Sequence, residues 1–444
     1  MSSLTLKDLK GHRAVFTTEV ADSLIPEIQA LLTSQIGATK MVSYQKEYPD
    51  GVVARGETYL DSILLVCLLD KKSILTEKSL PADIIKNPSA FKLAGVMQAG
   101  IKDVYIGGVV RRAFFIIDLK VDIAYRRLGI AKTLINQVTK VALDKKCDLS
   151  YVAIQNDNLR SFALLEGEGY SIADGRENKL VPIEMYKFTK YLSSPDPNTR
   201  LINYTRTQIE NRSTDETLSR YLDDMKEIYK EIDLSPVDTV NYLLKNKDFM
   251  GVSFLVDNST NKLVAGCSFH VFSRNGAIVP KKVLVDVNLF RSHWIFTVGA
   301  FLISLIWMGL VYLLKTLTPH DSGFGIVSIF TYLVLVAVLL AWYLFCQLCS
   351  TFRDSDRLSL RQTGGFSTNQ QKYRAYMEQI VIQNHERFLT AGFRLMIRNY
   401  SARKSAEESV KLGSFKFLVK DLRSDQHFKL TKFRAPNYFD PTDY

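Results

Sequence analysis

Residues 125–134 read YRRLGIAKTL and follow directly on the apolar run AFFIIDLKV at 113–121. A strand-like run that empties into two arginines, a glycine and an alanine, and then into a helical pattern, can hold a phosphate. The first backbone N–H groups of a helix have no acceptor inside it, and the helix dipole adds partial positive charge at that end. Gly129 lets a backbone approach an anion closely, Ala131 is nearly as small, and Arg126 and Arg127 add charge. The loop carries neither the G-x-G-x-x-G dinucleotide pattern nor a Walker loop. A plain strand-to-helix turn has the same outline, so both readings stay open on the loop alone.

The elements around the loop come from hydrophobic period. Apolar residues 134, 135, 138, 141 and 142 recur at helical spacing over 132–146, after strand-like runs at 62–69, 92–101 and 112–121. Residues 149–155, LSYVAIQ, read as the next strand, and 158–170 as a short helix ending at Gly169. This strand–helix alternation predicts an α/β domain (an α+β mixed sheet) over 1–195. A Pro/Ser/Asp/Asn-rich linker, SSPDPNTR at 193–200, separates it from a second segment. That segment has a helix at 216–232, strands at 249–257 and 261–272, a long helix at 371–392 and strands at 393–400, 415–422 and 427–433. The element order of the first segment is echoed without an exact repeat, over 196–290 and 351–444.

Between those two stretches lies 291–350. Residues 294–314 and 325–345 are uncharged, strongly apolar and each long enough to cross a hydrocarbon core. A polar link at 315–325 joins them, so a transmembrane hairpin is expected. Lys281, Lys282 and Arg291 precede the first span and Arg353, Arg357 and Arg361 follow the second. The positive-inside rule then sets both termini in the cytosol, as a two-span, multi-pass membrane protein in contact with lipid. The start of the sequence has no apolar leader, which with the hairpin points to the endoplasmic reticulum.

The 444 residues exceed one ordinary core, and 47% hydrophobic with 23% charged residues describe a folded chain. The formal charge of +11 favours anionic surroundings: phosphorylated cofactors, lipid or nucleic acid. The basic residues are dispersed and match no reader motif, so a nucleic-acid partner is not expected. Five scattered cysteines give no disulfide framework. Cys346 and Cys349 form a CxxC without a second Cys/His pair to complete a zinc site, and no metal is expected.

The segment Arg126-Arg-Leu-Gly129-Ile-Ala131 resembles the R/Q-x-x-G-x-G/A signature of the GNAT superfamily of N-acetyltransferases. One strand later, IQNDN at 154–158, a short helix and Gly169-Tyr170 are similar to a second segment of that family. Stretches at 95–104, 125–134, 151–158 and 233–256, and the YFDPTDY near the end, resemble the plant Hookless-type N-acetyltransferases. The resemblance does not extend to 291–350. It implies acetyl-CoA as co-substrate, its pyrophosphate on the loop N–H groups and its pantetheine in a gap where neighbouring strands splay. The cofactor residues it implies are Val121, Arg126, Arg127, Leu128, Gly129, Ile130, Ala131 and Lys132, with Asn158 on pantetheine.

The catalytic residues follow less directly. Acetyl transfer to an amine is helped by a general base, and by an acid for the departing thiolate. The tyrosine many relatives carry is replaced here by Leu164-Leu165, and the position of a frequent glutamate matches Phe115. Asp118 is the only carboxylate inside the strand, and is either the base or a residue facing solvent. Tyr170 is expected to pack. RQTGGF at 361–366 lies where the second segment would have its own cofactor loop, with its helix starting only near 370, so a degenerate GNAT-like domain is expected there. The leading expectation is a membrane-anchored N-acetyltransferase acting on an amine of a protein or a small molecule. The alternative is a catalytically degenerate membrane scaffold or regulator. A channel is disfavoured by two spans without intramembrane charge.

Overall fold

Continuous apolar runs become buried central strands, and the helical-period run becomes the helix that covers them. The computed structural model describes residues 4–38, 42–48, 51–52, 56–57, 59–70, 90–156, 158–182, 196–271, 277–283, 359–369, 371–390, 395–401 and 410–423, with isolated positions between 306 and 336. Thirteen strands form one mixed sheet: β1 (Leu4–Leu9), β2 (His12–Thr17), β3 (Asp61–Asp70), β4 (Phe91–Ile106), β5 (Val109–Val121), β6 (Leu149–Gln155), β7 (Ser171–Pro182), β8 (Thr199–Thr205), β9 (Phe249–Asp257), β10 (Leu263–Val271), β11 (Ser359–Ser367), β12 (Leu395–Ser401) and β13 (Val410–Asp421). Three short strands, Ser34–Ala38, Val42–Glu47 and Ala277–Val283, lie outside it. The principal helices are α1 (Ile25–Leu32), α2 (Ile130–Asp144), α3 (Leu159–Gly167), α4 (Glu216–Lys230), α5 (Thr239–Lys245) and α6 (Tyr373–Thr390).

The strand order is β1-β2-β3-β4-β5-β6-β13-β7-β12-β11-β10-β9-β8, nearly a mirror of itself. Each half is an antiparallel series ending in one parallel pair, β5 with β6 and β11 with β12, connected by α2 and α6 respectively. The last strand of each half lies beside the other half's parallel pair. β13 pairs with β6, β7 pairs with β12, and β7 and β13 pair with each other. The two expected soluble segments thus share one sheet. The compact units of the chain fall elsewhere: Met1–Gly37, Gln45–Val279 and Arg357–Tyr444 make one, and Ala38–Tyr44 with Pro280–Asp356 make the other.

The expected spans 294–314 and 325–345 fall in the second unit and, apart from isolated positions, outside the described residues. Among the described residues no helix is long and apolar enough to cross a membrane. The long connection holding those spans joins β10 to β11. At the corresponding place of the first half, β4 turns into β5 through Gly107 and Gly108 alone, both at positive φ. The expected strand at 427–433 and the CxxC also lie outside the described residues.

Packing follows the sequence pattern. Ile130, Leu134, Ile135, Val138 and Ala142 of α2 are buried against Phe16, Leu65, Met97, Phe114 and Ile116. Each large aliphatic side chain so buried contributes roughly 1.5–3 kcal/mol. α2 ends where Lys146 takes a left-handed φ of 58° and Cys147 N–H donates to the Ala142 carbonyl at 2.9 Å. On the other face, the second half closes over the first. Residues 233–237 run along the free edge of β4, with Leu234 N–H donating to the Tyr105 carbonyl (2.8 Å) and Tyr105 N–H to the Ser235 carbonyl (2.9 Å). Below them the Lys102 ammonium, 1% exposed, lies 5.3–5.9 Å from the ring centres of Tyr59, Phe115, Tyr151 and Tyr242.

Candidate functional site

The ladder between β5 and β6 is short. It pairs Ala113 with Leu149 through Ile116 with Val152 and then stops. Among the described residues, β5 beyond it keeps only β4, through Val121 opposite Gly95, and β6 keeps only β13. The two strands therefore part toward their C-terminal ends. A β-bulge marks the start of the opening: Gln98 faces Asp118 and Ala99 faces Ile116, so Ile117 is an extra residue in β5.

All the loop residues named from the sequence sit at the open end. Val121 is the half-buried last residue of β5, and its carbonyl accepts from Arg126 Nε at 3.5 Å. Asp122 caps the following turn, accepting from Ala124 N–H at 2.9 Å. Arg126 and Arg127 are exposed, Arg127 at φ 67°. Leu128 packs on the first-half core and Ile130 is buried in it, which anchors the loop from below. Gly129 is the residue before α2, exposed and at φ 85°, and a Cβ placed there meets nothing within 4 Å. Ala131 is half-buried. The first hydrogen bond of α2 runs from Thr133 N–H to the Gly129 carbonyl (3.0 Å), so the N–H groups of Ile130, Ala131 and Lys132 have no helical acceptor.

Lys132 is exposed and pairs with Glu168 Oε1 at 2.9 Å, tying the first turn of α2 to the end of α3. Asn158 begins α3 at the end of β6, and its Oδ1 accepts from Ser161 N–H at 3.2 Å. Val121, the 126–132 loop and Asn158 thus gather at the C-terminal ends of the parted strands.

Asp118 belongs to a different face. The extra residue at 117 shifts the alternation of β5, so Leu119 and Val121 join the α2 face and Asp118 and Lys120 turn away from it. Asp118 is half-buried, and the buried Tyr48 phenol donates to its Oδ2 at 3.1 Å. Opposite it, Gln98 is 2% exposed; its Nε2 donates to the Val52 carbonyl at 2.8 Å and its Oε1 has no partner among the described residues. The Lys120 ammonium is held below its ordinary value by burial and then by Arg126, with Asp118 opposing. Tyr48, Gln98, Lys120 and Glu168 escape a reading of the sequence. Gln98 is the detectable one, a single amide in the otherwise apolar middle of β4.

Tyr170, Phe115, the Leu164-Leu165 pair and RQTGGF can each be placed. Tyr170 is buried, its hydroxyl 2.8 Å from Ser150 Oγ and its ionisation pushed up to about 12 by burial, so it packs. Phe115 is buried against Tyr151, and Leu165 is in the core, so neither position offers acid–base chemistry. Among the described residues no group of His, Cys, Asp and Glu could hold a metal ion. RQTGGF at 361–366 is part of strand β11, not a loop.

A splayed parallel strand pair with an uncapped basic helix entry at its open end has the donors and charge that a phosphorylated group could take at the strand ends. Residues 90–170, which run from β4 through the end of α3, match the model of the acetyltransferase (GNAT) family. No curated protein matches the chain. A solved GCN5-related N-acetyltransferase from Anabaena variabilis is 9% identical, with a TM-score of 0.45, over 93% of this chain and 73% of its own. A conserved protein from Enterococcus faecalis, described as a probable N-acyltransferase, is 8% identical with a TM-score of 0.43, over 95% of this chain and 73% of its own.

Proposed function

We propose that the chain is an acetyl-CoA-dependent N-acetyltransferase whose cofactor lies between the parted ends of β5 and β6. One observation carries this reading: the strand opening and the unoccupied N–H groups of 130–132 fall together inside the residues that match the acetyltransferase family. The pyrophosphate would be held by Gly129, Ile130, Ala131 and Lys132 N–H groups, with Arg126 and Arg127 adding charge. Val121 and Leu128 would flank the pantetheine and Asn158 would contact it. The acceptor is an amine on a protein or a small molecule.

In this reading the acceptor enters as an ammonium, loses one proton to the Asp118 carboxylate, and attacks the thioester carbon as the neutral amine. The new N–C bond forms, the C–S bond breaks, and the second proton passes from nitrogen to the departing thiolate. Tyr48 keeps the Asp118 carboxylate in place through its hydrogen bond. The hairpin at 291–350 would anchor the enzyme in a membrane with the site in the cytosol. The two apolar runs support this, as does their place between β10 and β11, far in sequence from the loop. The alternative of a non-catalytic scaffold is favoured by the side chains at Leu164 and Leu165, which supply no hydroxyl.

Calorimetry with acetyl-CoA on the full chain, wild type against Gly129→Glu, tests the cofactor site. A carboxylate there repels the pyrophosphate, and the expected loss of affinity is about 100-fold or more. Gly129→Ala, which carries the backbone strain without the charge, should lose less than about tenfold. Wild-type chain that does not bind acetyl-CoA would refute the reading. Binding without turnover across a panel of amines would leave the scaffold.

A further inference from the structure

The open end of the cleft is built from both halves of the chain. Above Val152, residues Ala153, Ile154 and Gln155 of β6 have lost β5, and their ladder partners are Phe417, Lys416 and Phe415 of β13. Below that point β6 is held on both sides, by β5 and by Leu418–Asp421. The lower end of β13 is also anchored by side chains. Arg423 Nε pairs with Asp148 Oδ1 at 2.8 Å, and Leu422 N–H donates to the Asp148 carbonyl at 3.0 Å. The upper end has ladders to β6 and to β7, and Lys416 Nζ lies 5.2 Å from the centre of Phe162 in α3.

Across the opening, 117–121 of β5 and 153–155 of β6 share no ladder. A strand edge without a ladder seeks one, and a longer ladder between β5 and β6 would close the opening. The ladder to β13 is what ties the upper part of β6 to the far side. We propose that β13, the last described strand of the chain, holds the cofactor cleft of the first half open, with Lys416 at the register where that hold acts. This rests on the acetyl-CoA reading and extends it: residues 415–417 are positioning residues for a site otherwise made from 113–158. The second half then controls cofactor binding through its last described strand.

Two lysines of β13 make a matched test in the full chain. Lys416 faces Ile154 in the opening, and Lys420 faces Ser150 where β6 has both neighbours. Both are half-buried, and each ammonium lies over an aromatic ring, Phe162 or Tyr170. Glycine weakens a strand similarly at either place. Lys416→Gly should weaken acetyl-CoA binding by about fivefold, while Lys420→Gly lowers the melting temperature comparably and changes affinity less than about twofold. Lys416→Met, which keeps the strand and removes the charge, should bind like wild type.

Equal weakening by the two glycines would reduce the effect to general destabilisation, and weakening by Lys416→Met would reduce it to charge. Either overturns the proposal, as does unchanged affinity in Lys416→Gly. If the glycine chains do not fold, wild-type amide exchange decides. Amides of 153–155 must open together with those of 415–417, and independent opening overturns the hold. Wild-type chain that fails to bind acetyl-CoA removes the cofactor reading and this proposal together. Binding insensitive to Lys416→Gly removes only the latter.

Discussion

The junctions of β5 with α2 and of β11 with α6 share a plan and differ at the point where a phosphate would sit. Both follow a strand with an extra residue, Ile117 in β5 and one between Thr363 and Phe366 in β11. Both leave a parallel pair of four residues that then parts. In the first half the loop into α2 is exposed and basic, and its N–H groups wait for an acceptor. In the second, Asn369 Oδ1 accepts from Gln371 N–H (3.0 Å) and Lys372 N–H (3.3 Å), so the loop into α6 supplies its own acceptor. The space beside β11 is filled as well: a Cβ on Gly365 would meet Tyr373 Oη at 2.5 Å and Met377 Sδ at 2.9 Å. Of two similar junctions, one thus leaves its first N–H groups without a helical acceptor, and the other caps and packs its own.

The largest effect that sharpens this contrast is alkaline unfolding of the first half. Its core buries Cys67, Cys147 and Tyr170, and burial pushes each ionisation up to about 12, from 9.0 for the thiols and 10.0 for the phenol. The folded state therefore favours the protonated forms. Their contribution is whole below pH 9.0, and is lost as pH rises through about 12, because the unfolded chain ionises first. Loss of several kcal/mol is expected across that window, because each tenfold change in an ionisation constant is worth about 1.4 kcal/mol. Denaturant midpoints measured against pH should fall less steeply for Cys67→Ala with Cys147→Ala. An unchanged slope would remove these thiols as its cause.

Next in size is Gly365→Ala. The added methyl overpacks Tyr373 and Met377, and a cost of roughly 1–3 kcal/mol is expected. Acetyl-CoA affinity should stay at wild type, because the disturbed cleft is the closed one. A thermal melt beside a binding isotherm checks both, and a stable Gly365→Ala would mean that the second cleft has room.

Much of the first half is legible because its central strands are continuous apolar runs. Residues 149–155 read as a strand and form one with those limits, and 112–121 grows only to Val109–Val121. The strands that escape the sequence are the ones whose place is set from afar. β7, SIADGRENKLVP, has no alternation, and it exists as a strand between β13 and β12. The exchange of last strands is equally invisible, since a run such as FKFLVKD predicts a strand and not its neighbour. The site is half legible. Spacing locates the loop at 126–132, but the parity of β5 cannot show which face Asp118 takes, because one bulge residue reverses it. Tyr48 comes from a stretch with no pattern of its own. RQTGGF reads as a loop because paired glycines usually mark one, and in β11 one of them, Gly365, makes room for α6 side chains instead.

The smallest effect tests the comparison most directly. Asn369→Gly removes the internal acceptor from Gln371 and Lys372 N–H groups while leaving the backbone of the turn permissible. Losing two such side-chain bonds at a solvent-accessible turn should cost about 1 kcal/mol, since water replaces part of what is lost. Affinity and stoichiometry for acetyl-CoA should remain one site per chain, because Tyr373 and Met377 still fill the neighbouring cleft. If calorimetry instead found a second site in Asn369→Gly, the side-chain cap would be the sole barrier in the second half, and the filled cleft would be irrelevant. If a second site appeared only when Gly365, Tyr373 and Met377 were also altered, loop and cleft would each be sufficient to close it. The two halves would then differ by two independent closures, and one reopened loop would not make them alike.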